Sequence, residues 1–371
     1  MKKFIFALTW AFILPLLFSC SSLDSNEEDN TTTCINPGLE DNDSIDTLAS
    51  GVTVLKKGNL YYYEGDIVLT ESQLYNLALY GDIVKPGTEI AQCTDLNPVT
   101  NLPRNTNSST RAIGVYPTGY NLWAMARFTY DANLSSYQKQ KIKQALLNIQ
   151  AKTNVRFYNA TGQPTHDDKY NIDYPYINFR YIGNKDTSDS NIGRIGGKQN
   201  INLADFAFYQ PGVIEHEICH ALGMMHEQTR NDRDNYVIIN TSNLTKKGQD
   251  NFAKRKSNYT IRGGYDFNSV MGYSSMTSST SMVNDTSKPM YTKKDGSLIY
   301  QGRDLSDNDR SWLNYYYLPY VARSDTYAEL DTIVYNGNNE RLTEEQRLQL
   351  QAQINNGNPT PPSGGRIKND F

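Results

Sequence analysis

Three of the four histidines in this chain lie close together, in the segment HEICHALGMMH that spans residues 216–226. His216 and His220 are four residues apart, so on a helix both imidazoles project from one face and can bind one zinc ion. Gly223 can adopt a positive φ and end that helix, which lets the chain turn back and supply His226 as a third ligand. Three protein ligands leave one coordination position free, which is typical of a catalytic zinc site.

Glu217 directly follows the first histidine and is the candidate catalytic base. Zinc polarises a scissile carbonyl and lowers the pKa of a water molecule, and Glu217 would take the water proton and later give it to the leaving amine. These residues predict an endopeptidase that hydrolyses peptide bonds in proteins through a zinc-activated water, with one Zn²⁺ per chain. A bare HExxH segment can occur by chance, but here histidine is rare and the extended pattern also requires Gly223 and His226.

The longer segment HEICHALGMMHEQTRNDRDNYV, which starts at residue 216, resembles the astacin family of metzincin peptidases and its pattern HExxHxxGFxHExxRxDRD. Met224 stands where that family usually has Phe. The resemblance runs from about Ala112 to Tyr317. It implies an α+β, zincin-like catalytic domain with a mixed twisted sheet and an active-site helix, preceded by a propeptide. We expect Arg230 and the charged residues at 232–234 to form a structural ion network.

A second segment, SVMGY at residues 269–273, matches the Met-turn of the same family. The resemblance implies that Met271 forms an apolar floor beneath the metal. It also implies that Tyr273 is a fifth zinc ligand and a catalytic residue, which can move away and hydrogen-bond the tetrahedral intermediate. The resemblance further implies that the strand that ends near Leu203 is an edge strand, on which an extended substrate would pair. Arg262 and Arg303 are candidates for a cation in the substrate pocket.

The segment YEGD at residues 63–66 resembles the FxGD motif of astacin propeptides. The resemblance implies that the Asp66 carboxylate binds the zinc and keeps a zymogen latent. One alternative is an ordinary β-turn, since Glu-Gly-Asp favours turns. Another is a cysteine switch that uses Cys34 or Cys93, because a thiolate also binds zinc.

Activation requires a cut in the loop before the catalytic domain, and the bond between Arg111 and Ala112 is the expected site because a basic residue lies in a polar loop. By the resemblance, the new N-terminus at Ala112 approaches Glu227.

The N-terminus has the pattern of an export signal, with Lys2 and Lys3 before an apolar run over residues 4–18. The run ends in a sequence typical of a bacterial lipobox, so Cys20 is the predicted lipidation site. The alternative is an ordinary signal peptide with a chance cysteine. A lipidated Cys20 predicts a membrane-anchored lipoprotein, at the outer membrane or cell surface, whose mature domain is released extracellularly after cleavage.

The expected organisation has five parts: a signal peptide (1–19), a disordered tether (20–50), a propeptide (51–111), the catalytic domain (112–320) and a partly disordered C-terminal extension (321–371). Apolar and polar spacing predicts strands over 52–55, 60–63, 155–157 and 176–182, and helices from Thr70, from Ser135 or Ser136, over 213–225 and over 343–354. After the zinc helix, the chain up to about residue 318 is expected to be mostly irregular.

Composition limits the remaining possibilities. The net charge is −4 and no long basic stretch occurs, which argues against a nucleic-acid partner. We expect protein or peptide substrates and a monomer. Cys34 and Cys93 could form a disulfide in an exported chain, and Cys219 is expected to be a small buried side chain.

Three other functions compete with a peptidase of this family. The string over 227–234 and Tyr273 argue against another metzincin branch, and a structural zinc site would need a fourth strong ligand. The remaining alternative is a lipid-anchored binding protein on an inactive metzincin fold. A Glu217→Ala variant would separate it from an enzyme, because binding would survive the substitution and proteolysis would not.

Overall fold

The computed structural model describes residues 43–85, 113–115, 122–123, 125–168, 171–255, 259–261, 263–317 and 333–354. The described residues from Asp43 onward belong to one compact unit. Cys20, Cys34, Cys93, Arg111 and Ala112 lie outside the described residues. Within those described residues, no helix has the length and apolarity needed to cross a membrane.

The described elements comprise fifteen strands, six α-helices and three short 3₁₀ helices. The strands are β1 (Asp43–Thr47), β2 (Thr53–Lys57), β3 (Leu60–Tyr63), β4 (Ile67–Val68), β5 (Ile113–Val115), β6 (Ala126–Tyr130), β7 (Phe157–Asn159), β8 (His166–Asp167), β9 (Ile172–Asp173), β10 (Tyr176–Tyr181), β11 (Asp189–Ser190), β12 (Lys198–Leu203), β13 (Val237–Ile239), β14 (Tyr259–Ile261) and β15 (Tyr291–Lys293). The helices are α1 (Glu71–Tyr80), α2 (Ser136–Lys152), α3 (Val213–Ala221), α4 (Lys246–Asn251), α5 (Asp307–Tyr317) and α6 (Glu344–Ile354), with 3₁₀ turns at Asp205–Phe208, Glu227–Thr229 and Arg233–Asn235.

Nine of these strands form one sheet in the order β1-β2-β3-β4-β11-β12-β10-β6-β7. The upstream strands β1 to β4 form an antiparallel meander, and β4 pairs with β11 in parallel through Ile67 and Ser190. β12 pairs antiparallel with β11, whereas β12, β10, β6 and β7 run parallel to one another. The sheet is therefore mixed. The described residues 43–85, which we call the upstream segment, extend it.

Two expectations about this sheet are wrong. The strand that ends at Leu203 is not an edge strand, because β12 lies between β10 and β11. The short strand β11 is the last strand contributed by the catalytic part, and the upstream segment pairs with it. The predicted disordered tether is also too long, because its residues Asp43–Thr47 form β1 and pair with β2.

The upstream segment otherwise follows its sequence pattern. Strands β2 and β3 occur where alternation predicts them, and α1 begins after Thr70. The Thr70 hydroxyl accepts a hydrogen bond from the Gln73 amide, and the Gln73 side chain accepts one from the Thr70 amide. This reciprocal capping satisfies backbone donors that the first helical turn leaves without partners.

The main core lies between the sheet and helices α2, α3 and α5. Helix α2 starts with a capping box at Ser135 and buries one apolar stripe, comprising Ile142, Ala145, Leu146 and Ile149. The expected strand near residue 155 is displaced to β7, whereas β10 occurs where predicted. Helix α5 is an exception to the expected, mostly irregular region, and it buries Trp312 and Leu313 completely. Its polar first turn and its run of tyrosines hide the helical period from the sequence.

The C-terminal extension packs on the catalytic part. Tyr335 is 8 % exposed, and its amide and carbonyl both hydrogen-bond the side chain of buried Asn154, at 2.9 and 2.7 Å. The predicted helix over 343–354 is confirmed as α6, with reciprocal hydrogen bonds between Thr343 and Gln346. The predicted boundary at residue 320 therefore does not mark the end of packed structure.

Candidate active site

Three histidine rings converge at the end of α3. His216 and His220 lie on one face of the helix, which ends at Ala221, four residues earlier than predicted. Gly223 has φ +105°, the left-handed conformation expected of it, and the chain turns so that His226 faces the same point. The Nε2 atom of His220 lies 3.1 Å from that of His216 and 3.3 Å from that of His226.

Hydrogen bonds to the opposite ring nitrogens fix the orientation of the two histidines on α3. His216 Nδ1 donates to the carbonyl of Val270 and His220 Nδ1 donates to that of Met224, each at 2.8 Å. Because a carbonyl only accepts, each Nε2 presents a lone pair to the shared point. Burial also lowers the pKa of His220 to about 4, which favours its neutral, metal-binding form. Buried lone pairs so close together repel unless a cation lies between them, so the residues fit a bound metal ion.

Asp66 of the upstream segment completes this cluster. Its Oδ1 lies 3.3 Å from His226 Nε2 and 3.5 Å from His220 Nε2, and its Oδ2 lies 3.5 Å from His216 Nε2. The four residues form the one potential metal-binding group of this kind among the described residues. Burial acts to raise the pKa of Asp66, but the histidines outweigh it and hold that pKa well below its usual value. The carboxylate thus lies where a fourth ligand to a bound metal ion would be.

Glu217 lies beside the histidine cluster on α3. It is 3 % exposed, and its Oε2 has no hydrogen-bond partner among the described residues. Burial, followed by the charges of Asp66 and Asp189, raises the pKa of Glu217 well above its ordinary value. A carboxylate that readily accepts a proton suits a general base.

The Met-turn lies on the other side of the histidines. The amide of Gly272 donates to the Ser269 carbonyl at 3.1 Å, which closes the turn, and Met271 is buried in the main core. Tyr273 contacts the ring of His226 edge to face, with centroids 4.7 Å apart. Its hydroxyl donates to the carbonyl of Glu64 at 2.6 Å, so the upstream segment holds this side chain.

Glu227 is completely buried behind the third histidine. Its Oε1 accepts hydrogen bonds from Arg230 Nη1 at 3.0 Å and from the Asp266 amide at 2.8 Å. Its Oε2 has no partner in the described part of the chain. Burial raises the pKa of Glu227 to about 8. Because Ala112 lies outside the described residues, its contact with Glu227 stays a prediction.

The predicted ion network after the zinc helix is confirmed. Arg230 makes a two-pronged pair with Asp232, at 2.9 and 2.7 Å, in addition to its bond with Glu227. Arg233 pairs with Asp234 at 3.2 Å. Together these bonds fix the chain segment that follows the third histidine.

The structure also places the remaining cysteine, histidine and arginine candidates, except where they lie outside the described residues. Cys219 is completely buried, as expected, and has a free thiol. His166 is exposed and pairs with Asp173 at 2.8 Å. Arg303 is exposed, and Arg262 lies outside the described residues.

Sequence reasoning missed a buried ion cluster beside the site. The guanidinium of Arg255 pairs with Glu64 at 3.3 Å and with Asp82 at 2.9 Å, and all three side chains are almost completely buried. Glu64 was visible as part of the YEGD segment. Nothing in the sequence could pair Arg255 with residues so far upstream.

The chain is similar in sequence to known peptidases. The sequence model of the Astacin peptidase family matches residues 117–318. Zinc metalloproteinase nas-13 of Caenorhabditis elegans is 40 % identical over 158 residues, which cover 42 % of this chain and 32 % of that protein. Flavastacin of Elizabethkingia meningoseptica is 35 % identical over 187 residues, which cover 50 % of this chain and 38 % of that protein.

The solved structure of high choriolytic enzyme 1, a hatching enzyme zinc-protease from Oryzias latipes, aligns with 52 % of this chain and 89 % of its own. The identity is 27 % and the TM-score 0.44. The chain spans about a third of the length of the first curated relatives it matches.

The fold and site thus define an α+β protein with a buried three-histidine metal centre, of the metzincin type. The chain belongs to the astacin family of peptidases. Proteins of this family use one catalytic Zn²⁺, and His216, His220 and His226 are the residues that would hold it here.

Proposed function

We propose that this protein is a zinc-dependent endopeptidase produced as a latent precursor, in which Asp66 blocks the metal centre. The observation that carries this proposal is the position of the Asp66 carboxylate, 3.3–3.5 Å from the Nε2 atoms of all three histidines, next to Glu217. Zinc bound by the histidines supplies Lewis-acid activation of the scissile carbonyl and of the attacking water.

The chain's own residues perform the remaining steps. Glu217 takes the proton from the attacking water and gives it to the leaving amine. The Tyr273 hydroxyl, once free of Glu64, can donate to the oxygen on which negative charge develops. Met271 supports the site from the main core.

Latency is supported by how the upstream segment occupies the sheet edge. The Ser190 amide on β11 donates to the Asp66 carbonyl at 3.1 Å, so the segment fills the edge to which an extended peptide would add. Removal of the segment would free both that edge and the metal centre. We propose cleavage between Arg111 and Ala112, after which Ala112 approaches the free Oε2 of Glu227. A cysteine switch is the alternative, but the described site holds the Asp66 carboxylate.

We further propose that the precursor is exported and anchored by lipid on Cys20. Cleavage at Arg111 would then separate the catalytic part from its anchor and release it. The substrates are proteins or peptides, and the released enzyme is a monomer. A Cys20→Ala precursor should leave the membrane fraction. An unchanged membrane association in that variant would refute the anchor.

The function is tested on the full-length precursor with a recognition sequence for a site-specific protease inserted after Thr110. Zinc content and casein cleavage are measured before and after the cut, for the native sequence and for Glu217→Ala. We expect one zinc per chain in each protein, a silent precursor, an active cut form, and a loss of activity of about 10²-fold or more in the variant. A cut form that binds zinc and cleaves nothing would refute the enzyme and favour a binding protein.

A further inference from the structure

Gln301 lies beside the hydrogen bond that orients the first histidine of the metal centre. Its Nε2 donates to the Val270 carbonyl at 3.2 Å, and this oxygen also accepts the bond from His216 Nδ1 at 2.8 Å. The two nitrogens lie only 3.3 Å apart. Because the ring N–H and the side-chain amide are both donors, the carbonyl accepts both bonds through its two lone pairs. Gln301 thus acts on His216 through a shared backbone oxygen.

The backbone fixes the position from which Gln301 reaches this oxygen. The Gln301 amide donates to Ser274 Oγ at 3.1 Å, and the next amide, that of Gly302, donates to the Ser269 carbonyl at 3.2 Å. A Cβ on Gly302 would lie 2.3 Å from the Asn268 carbonyl oxygen, so this segment packs directly on the chain that enters the Met-turn. The close fit sets the direction of the Gln301 side chain.

Val270 is held from its other side by Asp309. The Val270 amide donates to Asp309 Oδ2 at 2.9 Å, and Ser269 Oγ donates to Asp309 Oδ1 at 2.7 Å. Asp309 therefore fixes the amide side of Val270, and Gln301 fixes the carbonyl side. Together they point the carbonyl oxygen at His216.

Gln301 also separates this hydrogen bond from the cleft. Val270 is completely buried and His216 is 3 % exposed, whereas Gln301 is only partly buried. Gln301 lines a cavity of about 470 Å³ that Asp66 and Tyr273 line as well. Without the carboxamide, water entering that cavity would compete for the Val270 carbonyl, because one of its lone pairs would be open to another donor.

We propose that Gln301 is a positioning residue of the metal centre, which fixes the Val270 carbonyl and keeps cleft water from the hydrogen bond of His216. The inference rests on the metal centre of the proposed peptidase. Partners of a ligating histidine set its orientation and basicity, and their loss lowers metal affinity by about 10- to 100-fold. Gln301 acts one hydrogen bond further out, so we expect an effect of about tenfold.

The test follows single histidine N–H groups in the zinc-loaded, full-length precursor. Because the chain has four histidines, ¹⁵N-histidine labelling gives a spectrum in which the Nδ1–H groups of His216 and His220 can be followed separately. The native protein is compared with Gln301→Met, which keeps the length of the side chain but has no N–H. The matched control is Gln210→Met, at an exposed glutamine.

We expect the His216 Nδ1–H to exchange with solvent about tenfold faster in Gln301→Met than in the native protein or the control, the factor that one typical hydrogen bond supplies. The His220 Nδ1–H donates to Met224 instead and should exchange at the same rate in all three proteins. Competition with a chelator should give a zinc dissociation constant about tenfold higher in Gln301→Met alone.

A second variant covers the case in which Gln301→Met does not fold. Gln301→Glu keeps the size and polarity of the side chain but has no N–H, so it should give the same two changes. Equal His216 exchange rates and equal zinc affinities in the native protein and the Gln301 variants would overturn the inference. Faster exchange at His216 and His220 alike would show general loosening and would overturn it too. Neither measurement depends on proteolysis, so their outcome is separate from the casein cleavage that tests the proposed function.

Discussion

Gly65 offers a direct test of how the upstream segment blocks the site. Its φ is +98°, and a Cβ at this position would lie 2.7 Å from Tyr273 Oη and 2.9 Å from Asn251 Nδ2. Neither neighbour can retreat without cost, because the Tyr273 hydroxyl is held by Glu64 and the Asn251 side chain is buried. In Gly65→Ala the segment, or Tyr273, must move away from the metal centre.

Gly58 provides a matched control in the same segment. It also has a positive φ, +57°, but a Cβ there meets nothing within 4 Å. Both substitutions therefore carry the backbone cost of about 1–2 kcal/mol for a left-handed alanine. Gly65→Ala adds the steric overlap, which in a packed site costs about 1–3 kcal/mol. The equilibrium constant that favours the blocked over the open precursor should thus be about 5- to 150-fold lower in Gly65→Ala than in Gly58→Ala.

The assay is the initial rate of peptide cleavage by intact single-chain precursors, verified as uncut on a gel. We expect the Gly65→Ala precursor to cleave the peptide about 5- to 150-fold faster than the Gly58→Ala precursor. After cleavage of the inserted site, both should match the native enzyme, because both glycines leave with the upstream segment. A Gly65→Ala precursor as silent as Gly58→Ala, with both folded by thermal melting, would refute the proposed role of this close contact.

Two further predictions concern stability. Burial, followed by the nearby charge of Asp266, raises the pKa of Asp309 from 3.8 to about 6. Between these two values the folded state binds more protons than the unfolded state. The free energy of unfolding therefore falls by up to about 3 kcal/mol as pH rises from about 4 to 6. Denaturant melts across that range should show this slope, and a slope that persists in Asp309→Asn would contradict it. Asn154→Ala removes the side-chain hydrogen bonds to Tyr335 and to the Asn314 carbonyl and should cost about 3 kcal/mol, because buried partners lose their bonds. A melting temperature no lower than that of the exposed control His166→Ala would show that the C-terminal extension does not depend on Asn154.

Local patterns in the sequence were sufficient to predict several elements of the site. The spacing of His216 and His220 places both on one helical face by geometry alone, and Gly223 is suited to the positive φ that redirects the chain to His226. Capping residues such as Thr70 and Ser135 likewise act within one turn of a helix. Such features are predictable because the atoms involved are neighbours along the chain.

Contacts between distant segments were decided by the tertiary structure. The family resemblance implied that β12 is the open edge, but strand order depends on which segment completes the sheet, and β4 pairs with β11 instead. Arg255 carries no motif, and its role appears only where Glu64 and Asp82 meet it in a buried space. Residue types and spacing thus determined the chemistry of the metal centre, and the YEGD segment identified Asp66 as its candidate fourth ligand. Packing of the upstream segment decided that Glu64 and Asp82 neutralise Arg255, since long-range pairing depends on the whole sheet and core.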